Sequence, residues 1–190
     1  MTEKYEGLKV LRAAPLLMTE SQQDYDEFVA RLIEEIAPQT LYDEILVRDI
    51  IEHTWHIRRL RWTRTSIINM SFRAAIVQLL VYELHSHSND EVLAELLAAR
   101  WFTCEKAKAE VAGILGSFNL TELAIEAMAI KLNSAELECL GKELSIWEVR
   151  RNKALHKLYK RRDNLHERAR TATQRVIDGD RGSLHQTGTA

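Results

Sequence analysis

The stretch that decides the fold runs from Thr40 to Ser86 and reads TLYDEILVRDIIEHTWHIRRLRWTRTSIINMSFRAAIVQLLVYELHS. It lies in a longer segment, residues 39–112, that contains neither glycine nor proline, and a second such segment covers residues 142–178. Sheets and glycine-rich active-site loops need residues that reverse the chain, whereas long helices do not. With only 7 Gly and 2 Pro in 190 residues, the chain is predicted to be all-α.

Seam residues recur in both segments at alternating steps of about four and three residues. This spacing is typical of the apolar seam of a coiled coil or an antiparallel helical bundle. The two seams together predict a long antiparallel helical hairpin with coiled-coil-like packing. The predicted seam residues are Leu46, Ile50, His53, Ile57 and Leu60 in the first segment, and Leu144, Trp147, Arg151 and Leu158 in the second.

The first rod of this hairpin should begin at Thr40, because Thr40 followed by Asp43 approximates a capping box. If it continued to about residue 86 it would measure roughly 70 Å at 1.5 Å per residue. Such a rod exceeds a compact domain, so it must bend or project. We expect the bend at the polar patch Thr63–Ser66.

Three shorter helices are predicted to pack around one end of the hairpin. The second and third begin at capping boxes, and the second is expected to stop at Gly113 and Gly116, since glycine commonly ends helices. The predicted starts are Ser21, Ser88 and Asn119, and the predicted ends are Ile36, Gly116 and Leu132. A long final helix should run from Asn133 to about Val176.

These elements predict three regions. Residues 1–18 are expected to form an irregular N-terminal arm, residues 19–176 a single helical domain, and residues 177–190 a disordered tail. No apolar run is long enough for a membrane span, and the N-terminus does not read as a signal peptide. We therefore expect a soluble cytoplasmic protein.

The sequence contains no recognisable catalytic or cofactor motif. Phosphate-binding glycine loops and the nucleophile elbow are absent. Cys104 and Cys139 fall inside predicted helices, away from any helix N-terminus, so we expect reduced, packed thiols. We predict no catalytic residue, no cofactor and no metal ion, although an active site without a motif stays open.

Two histidines need separate consideration as metal ligands. Asp49 with His53, and Glu52 with His56, are spaced to share a helix face. A metal site would need further ligands from another helix, and the Glu-x-x-His spacing of di-iron bundles does not occur. Since His53 lies on the seam, a hydrogen-bonded interior histidine is expected. The four tryptophans are predicted to pack in the core, with a partner-binding surface as the alternative.

The final helix is strongly basic. Residues 147–175 contain ten Lys or Arg against three acids, a charge of +7, whereas the rest of the chain carries −9. The basic side chains could pair with acidic helices of the same or another copy, neutralise nucleic-acid phosphates, or contact an anionic membrane. Aromatic residues here are too sparse for a base-stacking platform. The candidate interaction surface comprises Arg150, Lys153, Lys157, Lys160, Arg161 and Arg168.

Two blocks of sequence are similar to an uncharacterised family of bacterial all-helical proteins. The first, within residues 16–60, includes Asp24-Tyr25-Asp26-Glu27-Phe28 and Trp55-x-x-Arg58-Arg59. The second, residues 147–158, begins Trp147-Glu148 and contains Lys153-Ala154-Leu155. The resemblance implies a helical, bacterial, cytoplasmic protein. It implies no activity and no site residues.

Two functions therefore stay open. The first is a non-enzymatic helical scaffold or adaptor for protein–protein association, which we expect to form a homodimer or to bind a helical protein partner. The second is a nucleic-acid-associated protein that uses the basic helix 150–175. The direction in which the basic side chains point distinguishes these two functions. If most of them face acids of the bundle, nucleic-acid binding is excluded, whereas a continuous exposed stripe of basic side chains permits it.

Overall fold

The computed structural model describes residues 16–83 and 91–186, with side chains described to residues 81 and 175 respectively. Within those residues the chain is helical and has no strand, which confirms the all-α class. The helices are α1 (Gln22–Ile36), α2 (Leu41–Met70), α3 (Phe72–Gln78), α4 (Glu91–Trp101), α5 (Glu105–Ser117), α6 (Leu123–Leu132) and α7 (Ser134–Gln186), with a π-helical segment Leu79–Glu83 after α3.

Local capping signals account for the starts of the first two helices. The Ser21 hydroxyl accepts a hydrogen bond from the Asp24 backbone N–H at 3.2 Å. At α2, Thr40 Oγ1 accepts from the Asp43 N–H and Asp43 Oδ2 accepts from the Thr40 N–H, both at 3.2 Å. This reciprocal pair is a capping box with aspartate in the usual place of glutamate. Helix α1 ends at Ile36, as predicted, and Ala37 follows in the left-handed region with φ 46°.

Helix α2 continues unbroken through the polar patch Thr63–Ser66, where the sequence predicted a bend. The hydroxyls of Thr63 and Thr65 donate to backbone carbonyls four residues earlier, a pattern that often bends a helix without breaking it, so the bend stays a prediction. The interruption comes at Ser71, whose hydroxyl donates to the Ile67 carbonyl while Asn133 donates to that hydroxyl at 2.7 Å. The predicted end of this rod near residue 86 lies outside the described residues.

The single third helix predicted from the sequence is two helices. Helix α4 ends at Trp101 and α5 starts at Glu105, with Cys104 between them as the N-cap residue. Gly113 lies inside α5, and α5 ends at Ser117, one residue after the predicted end at Gly116. The chain reverses at Asn119, which has φ 58°; asparagine tolerates this conformation better than most residues.

Helix α6 has Glu122 rather than the predicted Asn119 as its N-cap residue, with no capping hydrogen bond from the side chain. Helix α7 starts at Ser134, next to the predicted Asn133, but it is longer than expected. It continues to Gln186, past the predicted end at Val176 and into the segment for which a disordered tail was predicted. Residues 1–15 of the predicted N-terminal arm and the predicted cap at Ser88 lie outside the described residues.

The described residues group into two compact units, to which α2 and α7 each contribute. Unit 1 contains the residues up to His56 and those from Trp147 onward, and unit 2 contains those between them. This grouping does not test whether both units fold together, so the single helical domain over residues 19–176 stays a prediction. Helix α1 packs in unit 1, and α3 to α6 pack in unit 2.

Each unit has its own apolar core. In unit 1, side chains of α1 and α2 surround two from α7: the core comprises Tyr25, Val29, Ile36, Leu46, Val47, Ile50, Ile51, Trp55, Ala154 and Leu158. In unit 2 the core comprises Ala75, Ile76, Val77, Leu79, Leu80, Ala94, Leu97, Ala98, Ala107, Val111, Leu115, Ile125, Met128 and Ala129. Burial of these faces is what holds the amphipathic helices against one another.

The predicted seam is buried for most of its length. Leu46, Ile50, Ile57, Leu60 and Leu158 are buried, and Leu144, Trp147, Arg151 and His53 are half-buried. In unit 1 the contacts pair Asp43 with Arg161 and His53 with Trp147. From the first pair to the second, the residue number rises along α2 and falls along α7, so the two segments run antiparallel within unit 1. The hairpin over its full length stays a prediction.

Candidate functional site

Helix α7 carries the candidate basic residues on one exposed side. Five of the six are exposed and Arg161 is half-buried; we call the set Arg150, Lys153, Lys157, Lys160, Arg161 and Arg168 the basic stripe. Their steps of three, four, one and seven residues keep them within about a third of the helix circumference, since successive residues rotate by about 100°. The stripe extends over about 27 Å of α7 at 1.5 Å per residue.

The acids of this segment do not neutralise the stripe. Helical rotation turns Glu148 and Asp163 away from it, and Glu167 lies at its edge. Among the described residues, the one acid within 4.0 Å of a basic-stripe side chain is Asp43, which lies 4.0 Å from Arg161. The stripe is therefore an exposed surface of net positive charge.

Arg161 connects the stripe to the start of α2. Its guanidinium carbon lies 4.5 Å from the centre of the Tyr42 ring, and its Nε lies 4.0 Å from Asp43 Oδ1. That separation is too long for a hydrogen bond, and neither atom has another hydrogen-bond partner among the described residues. Asp43 is 2% exposed and is held by the backbone N–H groups of Gln39 and Thr40. Arg161 thus lies over Tyr42 beside an immobilised carboxylate.

Arg162, the next residue, has a structural role. Its Nη2 donates to the backbone carbonyl of Ile36 and, at 3.3 Å, to that of Ala37. These carbonyls end α1, where a helix leaves its last acceptors unpaired and its dipole favours a cation. The sequence placed Arg162 in the basic segment without identifying this cap, because the cap is 125 residues away in the chain.

Two open cavities lie along the stripe. The first, about 460 Å³, is lined by Tyr42, Lys157, Lys160, Arg161, Asn164, Leu165 and Arg168. The second, about 510 Å³, is lined by Asn164, Glu167, Arg168, Thr171, Ala172 and Arg175. Asn164 and Arg168 belong to both, so the cavities are contiguous. Sequence reasoning did not identify Tyr42 and Asn164 here, since Tyr42 comes from another helix and an exposed asparagine carries no signal.

Trp147 is packed between polar side chains. The rings of His53 and His56 lie 5.3 and 4.3 Å from its ring, and the Arg150 guanidinium lies 4.8 Å from it. Burial lowers the pKa of His53, and the nearby Arg150 lowers it further against the opposing effect of Asp49 and Glu52. His53 Nδ1 is buried without a hydrogen-bond partner among the described residues, and the ring packs against the Trp147 indole.

Arg151 is half-buried on the seam, as expected from its position. Its guanidinium donates to Asn152 Oδ1 at 3.1 and 3.2 Å, rather than to an acid. The tryptophans differ in burial, and the partner-binding alternative stays a prediction. Trp55 is buried in unit 1, whereas Trp62 is 65% exposed beneath the guanidinium of Arg58.

The setting of Cys104 differs from the prediction. Both cysteines are free thiols, but Cys104 is the N-cap residue of α5 rather than a residue within a helix. The backbone N–H of Ala107 lowers the pKa of the Cys104 thiol, with smaller contributions from the Lys106 N–H and from Arg100, whose Nη2 lies 3.8 Å from the sulfur. The break between α4 and α5, which the sequence did not indicate, creates this environment.

Comparisons with known proteins identify no relative. No protein-family model matches the chain, and neither a curated protein nor a solved structure matches it. The resemblance to a helical bacterial family therefore brings no established activity to any residue. Within the described parts of the chain, no three His, Cys, Asp or Glu side chains are grouped to hold a metal ion. No helix there is sufficiently long and apolar to cross a membrane.

Proposed function

We propose that this protein is a non-enzymatic nucleic-acid-binding protein that contacts phosphates through the basic stripe of α7. The observation that supports the proposal most is the exposure of Arg150, Lys153, Lys157, Lys160 and Arg168 on one side of the helix. If the side chains of the basic stripe were paired with acids of the bundle, a purely structural role would be favoured. Among the described residues, only Arg161 of the stripe lies within 4.0 Å of an acid, Asp43.

Nucleic acid suits this surface because the positive charges of the basic stripe and the phosphates of a polynucleotide are both arranged along a line. The stripe offers six cations along about 27 Å of a rigid helix, and a polynucleotide presents phosphates at regular intervals over a comparable length. Each neutralised phosphate releases counterions, so the logarithm of the affinity falls linearly with the logarithm of salt concentration. Six contacts predict a slope of about −4 for single strands and about −5 for duplex.

The test is a salt titration of binding to fluorescently labelled oligonucleotides, followed by anisotropy. We expect the slopes above for the unmodified chain. Arg168→Gln should weaken binding and reduce the slope by about 0.7–0.9, the contribution of one phosphate contact. Arg170→Gln is the matched control, because Arg170 is also exposed but helical rotation places it on another side of α7.

Two outcomes would contradict the proposal. One is binding without a steep salt slope. The other is an equal loss in Arg168→Gln and Arg170→Gln, which would indicate a diffuse charge effect rather than a defined surface. Binding to vesicles with anionic lipids but not to oligonucleotides would assign the stripe to a membrane surface instead.

A second candidate is the helical scaffold or adaptor, including a homodimer. It is favoured by large apolar side chains on the described surface, such as Val92 and Leu96, which are 79% and 51% exposed and lie one turn apart in α4. Isolated exposed apolar residues are normal, but adjacent ones mark contact surfaces. Sedimentation equilibrium tests self-association, and a compact monomer at micromolar concentration would contradict the homodimer.

A further inference from the structure

The cavity at Tyr42 combines groups that a simple phosphate-binding surface does not need. It brings together an aromatic ring, a guanidinium plane, an amide and three more cations. Resting on the proposed nucleic-acid function, we propose that this cavity receives an unpaired nucleobase, so that the protein binds single-stranded nucleic acid in preference to duplex.

Tyr42 and Arg161 form a preorganised stacking platform. The guanidinium lies 4.5 Å from the ring centre, yet the Tyr42 residue is 43% exposed and the Arg161 side chain 39% exposed. Both groups therefore keep accessible surface. Aromatic rings and arginine planes are the usual partners of splayed bases in single-strand recognition. A base that stacks here adds to an arrangement already present.

Asp43 fixes the platform. Its backbone N–H and its Oδ2 are used by the capping box, and its Oδ1 lies 4.0 Å from Arg161 Nε. Since the carboxylate is 2% exposed and its other oxygen is used by the helix cap, it places a fixed negative charge beside Arg161, which favours the guanidinium at this position over Tyr42. The outer nitrogens of that guanidinium have no acceptor among the described residues, which leaves donors for a base edge or a phosphate.

The surroundings fit a strand rather than an isolated nucleotide. The cavity of about 460 Å³ lies within the range of small-ligand sites. It continues through Asn164 and Arg168 into the second cavity, which reaches Arg175. Lys157, Lys160 and Arg168 are placed for the phosphates, and the Asn164 amide for a base edge. Bases inside a duplex are stacked on one another and cannot enter such a site.

The experiment compares a labelled uridine oligonucleotide of about 15 residues with a mixed-sequence duplex of the same length, on the full chain. We expect tighter binding of the single strand. Tyr42→Leu should weaken single-strand binding by about tenfold, the lower to middle part of the range for one stacked base, and leave duplex binding unchanged. Tyr42→Phe should keep the preference, because it retains the ring.

Tyr159→Leu is the matched control, since Tyr159 is an exposed tyrosine of α7 that lines neither cavity. If Tyr42→Leu fails to fold by circular dichroism, Arg161→Lys gives a second route. It keeps the charge and removes the planar group, so it should abolish the single-strand preference without weakening duplex binding.

The outcomes separate the two proposals. Equal, salt-dependent binding of both probes with no effect of Tyr42→Leu overturns the base-binding inference and leaves the proposed function standing. If free uridine monophosphate competes for binding as well as the unlabelled single-stranded oligonucleotide does, the proposal that the cavity receives a base of a strand is overturned. Absence of salt-dependent binding to either probe overturns both proposals.

Discussion

Leu158 is the α7 side chain on which the core of unit 1 should depend most. It is fully buried among apolar residues of α1 and α2. Leu158→Ala removes three carbon atoms from a packed site, and buried Leu→Ala changes typically cost 2–5 kcal/mol through lost burial and the cavity left behind. We expect a loss of about 3 kcal/mol. This is a large share of the 5–15 kcal/mol by which domains of this size are usually stable.

Urea unfolding followed by far-UV circular dichroism measures the effect. With an m-value of about 2 kcal/mol per molar, the midpoint should fall by about 1.5 M. The matched control is Leu165→Ala, the same substitution in the same helix at a side chain that is 45% exposed. Helix propensity changes equally in both variants, so their difference isolates burial. Equal losses, or less than 1 kcal/mol for Leu158→Ala, would refute the packing of α7 against α1 and α2.

Two further predictions concern unit 1. Arg162→Gln should lower the free energy of unfolding by about 1.5 kcal/mol, because a charged donor to the last carbonyls of α1 is lost. The control Arg168→Gln changes an exposed side chain and should cost less than about 0.5 kcal/mol in the same urea titration. Equal losses in the two variants would contradict the capping role of Arg162. Burial lowers the pKa of His53 below its ordinary value near 6.5, so the unfolded chain binds the proton more readily and the free energy of unfolding should decrease as pH falls through that value. His53→Gln should have a shallower dependence between about pH 7.5 and 5.5, and an unchanged slope would exclude His53 as a cause.

Much of the helical architecture could be predicted because its determinants are local. The Thr40–Asp43 capping box occurs where three-residue spacing indicated it, and α1 starts beside the predicted Ser21. The described residues of the segments without glycine or proline are mostly helical. The errors arose where the sequence carries no local signal. The break between α4 and α5 falls inside a segment that has neither glycine nor proline.

The candidate surface was predictable only in part. The density of Lys and Arg in residues 147–175 is visible in the sequence, as is their helical spacing. Their exposure depends on which face of α7 packs against α1 and α2. Likewise, the sparse aromatics of that segment excluded a stacking platform, whereas the structure supplies Tyr42 from the first turn of α2.

The sequence by itself determined the class of structure, the capped starts of α1 and α2, and the concentration of positive charge. These follow from hydrogen bonds and side-chain spacings that span four residues or fewer. Only the tertiary structure decided the break at Ser71, the cap that Arg162 provides to α1, and the meeting of Tyr42, Asp43 and Arg161. Each joins groups more than 60 residues apart in the chain. Such pairings depend on how whole helical faces pack, and no short-range pattern encodes that packing.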